Sequence, residues 1–102
     1  MIVKKQYLKS KPVCKVTFKL SKEEAKNAEK VCLVGDFNKW DLSASPMKRL
    51  KNGSFSSTLE LSKDNEYQFR YLLDDKEWEN DWNADAYVPS PVSFDENSVV
   101  AV

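Results

Sequence analysis

Hydrophobic and polar positions alternate along much of the chain. Val13–Leu20, VCKVTFKL, sets Cys14, Val16, Phe18 and Leu20 on one side and Lys15, Thr17 and Lys19 on the other. That period of two predicts a half-buried β-strand. Glu66–Leu73, EYQFRYLL, shows the same period, with Tyr67, Phe69, Tyr71 and Leu73 facing the core and Gln68, Arg70 and Leu72 facing away. In SFSSTLEL, Phe55, Leu59 and Leu61 share a face with Ser57. KVCLV before Gly35 and SVVAV at the end of the chain are shorter apolar runs that also suit strands.

Between these runs lie turn signals. Asn52-Gly53-Ser54 is a hairpin turn pattern that separates PMKRLK from the next strand. SKEEAKNAEK opens with Ser21 and Glu24 at capping-box spacing and predicts a helical turn. Its only apolar residues are Ala25 and Ala28, which predicts a surface connection that buries little. NADAYVPSPVSFDEN carries Pro89 and Pro91 but also Tyr87, Val88 and Phe94, and so reads as an ordered loop. The pattern predicts an all-β protein, an antiparallel β-sandwich of about seven strands with at most one short helical turn. The 102 residues suffice for one hydrophobic core. The expected division is an N-terminal extension over residues 1–12 and a single domain over residues 13–102.

Charge changes little in this picture. Sixteen basic and sixteen acidic residues cancel, so net charge favours neither nucleic acid nor an anionic membrane. They are unevenly placed: residues 1–63 hold fourteen Lys/Arg and six Asp/Glu, whereas residues 64–102 hold two and ten. Dispersed lysines argue for interleaved strands on which the two sets meet, rather than for a basic arm. No signal peptide and no membrane-length apolar run is visible, which makes the cytoplasm the expected compartment. Cys14 and Cys32 sit in strand-like runs and read as buried thiols, with a cross-strand disulfide left open by their spacing. The chain has no His. It therefore lacks the commonest general base and metal ligand, and Ser–His or Cys–His catalysis within the chain is excluded.

The acid-rich segment DDKEWENDWNAD, residues 74–85, raises two chemical questions. A glycosidase carboxylate pair needs a deep sugar cleft, for which a sandwich of this length has little spare structure. A calcium hand fits Asp81, Asn83 and Asp85 but fails at Ala86, where Gly is required, and at Val92, where the closing Glu belongs. Neither catalysis, nor a metal, nor a cofactor is expected.

The aromatics say more. Trp40, Trp78 and Trp82 occur in NKWD, KEWE and NDWN, in turn-like sequence outside the strand cores. A single such Trp usually caps the end of a sandwich. Three together point to a binding surface. An indole offers a flat apolar face that matches the C–H face of a sugar ring, and neighbours such as Lys39 can serve its hydroxyl edge. Covering roughly 100 Å² of one ring gives about 2.5 kcal/mol gross. Two platforms less the cost of association then give weak, micromolar-to-millimolar binding, suited to a polymer with many sites.

VCLVGDFNKWD, GSFSSTLEL, YQFRYLLDDKEW and ENSVV, in that order, resemble the glycogen-binding and isoamylase N-terminal modules of carbohydrate-binding module family 48. That family includes the glycogen-binding domain of the AMP-activated protein kinase β subunit. The resemblance implies an immunoglobulin-like, early-set sandwich over roughly residues 13–102. It implies that Trp40 and Trp78 are sugar-stacking residues, and that Arg70 stands where binding members carry a hydroxyl-bonding Lys. It further implies that Asn97 is a sugar-contacting Asn, with Phe94 nearest to a hydrophobic residue inserted among sugar rings. LLDDKEW departs from the usual VDG-x-W turn by one extra residue and by a missing Gly. Trp82 has no counterpart and is expected to be packed.

The expected function is non-catalytic binding of α-1,4-linked glucan of the glycogen or starch type. The alternative is a protein-interaction domain of the same fold that partners a glycogen-metabolising enzyme without sugar affinity. The resemblance extends to small stand-alone bacterial proteins of the early-set type.

Overall fold

A computed structural model describes residues 2–90 and 95–102. Among these residues, nine strands form two antiparallel sheets packed face to face. The first sheet runs in the order β1–β2–β5–β4, with β1 Ile2–Tyr7, β2 Val13–Leu20, β5 Phe55–Ser62 and β4 Lys48–Arg49. The second runs β3–β6–β9–β8, with β3 Val31–Gly35, β6 Glu66–Leu73, β9 Glu96–Ala101 and β8 Ala86–Pro89. β7, Glu77–Glu79, pairs with β6 as a hairpin partner. The expected sandwich is therefore present with more strands than the alternation of long runs revealed. β1, β4, β7 and β8 are short or edge strands whose sequences lack a strong period.

The core between the sheets is the set predicted by alternation. Cys14, Val16, Phe18 and Leu20 from β2 meet Phe69, Tyr71 and Leu73 from β6, all buried. Phe18 and Phe69 lie edge-on at 5.2 Å, and Phe69 and Tyr71 at 5.7 Å, a geometry that ring quadrupoles favour. Both cysteines are free and buried; burial pushes the Cys32 thiol up from its ordinary range.

The connection after β2 differs from expectation. Ser21 and Glu24 form the reciprocal capping box, with backbone-to-side-chain bonds of 2.9 and 3.0 Å, yet residues 22–27 are turns rather than helix. Lys26 and Asn27 adopt positive φ, which ends the turn before a helix can propagate. Ala25 and Ala28 join the main core. The connection thus buries more than its two alanines suggested, because small side chains allow the backbone to lie close to the sandwich.

The ion pairs join the two charge sets. Lys5 meets Asp85 at 2.7 Å, Lys26 meets Glu77 and Glu79 at 2.7 and 3.0 Å, and Lys30 meets Asp75 at 3.2 Å. Each links a base from the first part of the chain to an acid from the last.

Candidate functional site

The outer face of the second sheet is built by GDFNKW. Gly35 ends β3 opposite Phe69. A Cβ there would stand 2.5 Å from the Gln68 carbonyl oxygen and 2.7 Å from the Phe69 Cβ, so only Gly permits this close approach of strands. A single 3-10 turn, Asp36–Asn38, follows. Phe37 turns inward and packs near Phe18, Tyr67 and Phe69 at centroid distances of 6.1–6.3 Å. Asn38 staples the loop: its Oδ1 accepts the Gly35 N–H at 3.0 Å and its Nδ2 donates to the Leu33 carbonyl at 2.8 Å. Lys39 and Trp40 both have φ of 58°. Two consecutive left-handed residues that are not Gly cost free energy, and the Trp40 N–H to Gly35 carbonyl bond of 2.9 Å helps hold them.

Trp40 does not stand free of the fold as a wholly outward platform. Its ring packs on a second apolar cluster, Cys32, Val34 and Leu72. The outer face of this sheet is apolar where Trp40 lies, so covering it keeps those side chains from water. The indole Nε1–H donates to Asp36 Oδ1 at 2.8 Å, while Asp36 Oδ2 accepts the Gln68 backbone N–H at 2.8 Å.

Strand register decides what joins Trp40. Residues directly opposite in antiparallel strands share a face. Val34 lies opposite Arg70, and Leu72 lies between Cys32 on one side and Trp78 on the other. Trp78 is therefore on the same outer face, and it is 41% exposed. The departure from the usual turn explains itself locally. Asp74 and Asp75 take φ of 51° and 58°, the two left-handed positions of a type I′ turn, which Asp tolerates better than most residues. The Lys76 N–H closes on the Leu73 carbonyl at 3.0 Å, and Leu73 pairs with Glu77. The extra residue is thus absorbed in the turn and does not shift Trp78 to the other face.

Gln68 pairs with Val99, which puts Asn97, two residues earlier on β9, on this face as well. Arg70 Nε donates to Asn97 Oδ1 at 2.6 Å, and Asn97 Nδ2 donates to Gln68 Oε1 at 3.0 Å. Arg70 faces away from the main core as predicted but is only 8% exposed. Trp40, Arg70, Trp78 and Asn97 thus share one face. Beside them a groove of about 400 Å³ is lined by Arg70, Trp78, Glu79, Asn80, Asp95 and Glu96. Lys39 is exposed beside Trp40. Phe94 lies outside the described residues.

Trp82 is 51% exposed in the β7–β8 connection and is not packed as expected. The inward residue of that connection is Asp81, 1% exposed. Its carboxylate accepts the Tyr71 hydroxyl and the Asn83 N–H, each at 2.8 Å, and its own N–H donates to Ser98 Oγ at 2.9 Å. Sequence reasoning placed Gln68 on the outward face but gave it no role, and it missed the double use of Asp36. The period-two placement of Gln68 beside Arg70 was the available signal.

A β-sandwich that carries two Trp residues and a buried Arg–Asn pair on one sheet face has the makings of a carbohydrate-binding module. Residues 14–88 match carbohydrate-binding module 48 (isoamylase N-terminal domain), and the chain belongs to that family. Asn97 lies beyond the matched span. No curated protein matches the chain.

Proposed function

We propose that this domain binds α-1,4-linked glucan chains of the glycogen or starch type, without catalysis, on the outer face of the second sheet. The observation that carries the proposal is the convergence of Trp40, Trp78, Arg70 and Asn97 on that face through strand register. Trp40 and Trp78 stack on sugar rings, and the Arg70–Asn97 pair meets hydroxyl oxygens between them. Lys39 serves the rim beside Trp40, and Phe94 is proposed as the residue that inserts among sugar rings. Two stacking platforms and a few hydrogen bonds suit weak, repeated binding to a polymer. Calorimetric titration with maltoheptaose tests the proposal. Heat of binding with a micromolar-to-millimolar Kd is expected, and no heat at millimolar ligand rejects it.

A second reading is a protein-interaction domain that partners a glycogen-metabolising enzyme. It is favoured by Trp82 and Tyr87, exposed at 51% and 41%, neither of which has a place in the register row of the sugar face. Recovery of such an enzyme by the purified domain in glucan-free buffer supports it, and a Trp82→Ala variant that captures the enzyme equally well speaks against that surface.

A further inference from the structure

Hydrogen-bond polarity on the outer face follows from one fact: an Arg side chain can only donate. Arg70 Nε therefore meets the oxygen of the Asn97 amide, at 2.6 Å. The nitrogen of that amide then faces Gln68, at 3.0 Å, so the Gln68 amide must present its oxygen to it. The relay is fixed from the Arg outward, and its last free group is Gln68 Nε2. Gln68 is half-buried, yet among the described residues the one buried side-chain polar atom without a partner is Glu24 Oε2. Gln68 Nε2 has no protein partner among them either, so it reaches solvent. The backbone of the same residue is held by Asp36 Oδ2 at 2.8 Å, and the other oxygen of that carboxylate holds the Trp40 indole.

Two consequences follow for a ligand on this face. The N–H of Trp40 is already engaged, so Trp40 acts by stacking alone. The donor that the central row leaves to solvent is Gln68 Nε2, while its acceptor atoms, Asn97 Oδ1 and Gln68 Oε1, each already take one hydrogen bond. We propose that Gln68 is a further ligand-reading residue, whose Nε2 donates to an acceptor oxygen of the bound sugar, with Asp36 positioning it against Trp40. This inference rests on the glucan-binding reading. It adds that the centre of the site selects for ring, bridging or hydroxyl oxygens presented as acceptors.

The test is Gln68→Glu. The new carboxylate keeps an oxygen for Asn97 Nδ2 but turns the ligand-facing donor into an acceptor. Its charged neighbours are Asp36 on its N–H, and Glu66 and Arg70 on the same face of β6. Maltoheptaose affinity is expected to fall about tenfold or more at pH 7, since one charge-mismatched hydrogen bond is at stake. It is expected to recover as the pH is lowered toward about 4, where a carboxyl regains a donor. The wild type, with an amide there, is not expected to show that recovery. Gln68→Leu, which has no donor at any pH, is expected to bind weakly throughout. Amide resonances of the folded variants report whether the sandwich persists. Wild-type binding together with unchanged Gln68→Glu affinity at pH 7 overturns the role of Gln68 and leaves the glucan reading standing. Loss that does not recover on acidification assigns Gln68 a purely structural role and also overturns the proposal. Absence of wild-type binding overturns both.

Discussion

Five of the six residues of GDFNKW perform separate physical tasks. Gly35 removes a Cβ, Asp36 closes two N–H groups, Phe37 anchors to the core, Asn38 staples the loop, and Trp40 covers the outer cluster. Gly35→Ala is expected to cost about 2–3 kcal/mol, because its nearest contacts belong to β6 itself, a backbone carbonyl and a Cβ, and a strand must move. Urea unfolding reads this directly, and an unchanged midpoint contradicts the close-approach argument. Trp40→Ala removes both a proposed sugar platform and the cover over Cys32, Val34 and Leu72. It is expected to abolish measurable glucan binding and to lower stability by about 2–3 kcal/mol, leaving a folded protein. Much of this was legible in the sequence at the level of residue type. The end of the apolar run at Gly35 and the outward face of Arg70 both follow from spacing. The packing of Trp40 did not, because covering the outer face depends on Val34 and Leu72 meeting across strands far apart in sequence.

The β6–β7 hairpin shows what an element can absorb. LLDDKEW reads as a defect beside a Gly-containing turn, but two Asp residues take the left-handed positions and Lys76 stays in the loop. The two are not equivalent. Asp74 Oδ1 also accepts the N–H groups of Glu29 and Lys30 at 2.9 and 3.0 Å, whereas the side chain of Asp75, among the described residues, makes an exposed contact to Lys30 alone. Asp75→Gly is therefore expected to raise stability by about 0.5–1 kcal/mol, since it relieves left-handed strain and gives up a weak surface pair. Asp74→Gly is expected to lower it. Thermal unfolding of the two variants checks the contrast, and equal shifts of the same sign count against it. The strong strands β2 and β6 were readable because one face of each is core. The short edge strands were not, because β1, β4, β7 and β8 take their conformation from a neighbour rather than from their own period.

At the scale of the whole molecule, three early lysines among the described residues pair with four late acids. Exposed pairs of this kind contribute little each, so the sandwich rests on its core and on a few buried polar ties. Tyr71 is the most consequential of these. Burial first, and then the Asp81 carboxylate, push its hydroxyl well above the ordinary tyrosine value of 10. A group raised in the folded state contributes stability below its unfolded value that is lost as pH rises beyond it. Stability is accordingly expected to fall above about pH 10, where the unfolded chain releases the Tyr71 proton and the folded one retains it. The Lys26 ammonium, pushed up to about 12 by hydrogen bonds to Glu77 and Glu79, adds to the same alkaline slope. Tyr71→Phe is expected to make the decline of Tm between pH 10 and 12 shallower, and an identical slope in the variant rejects the assignment.

The proposed glucan site is the outer face of the second sheet. Chemical-shift mapping with β-cyclodextrin tests it most directly. Perturbations are expected to concentrate on the side-chain signals of Trp40, Gln68, Arg70, Trp78 and Asn97, with the outer face of the β1–β2–β5–β4 sheet unchanged. Shifts confined to Trp82 and Tyr87, or no shifts at millimolar ligand, contradict it.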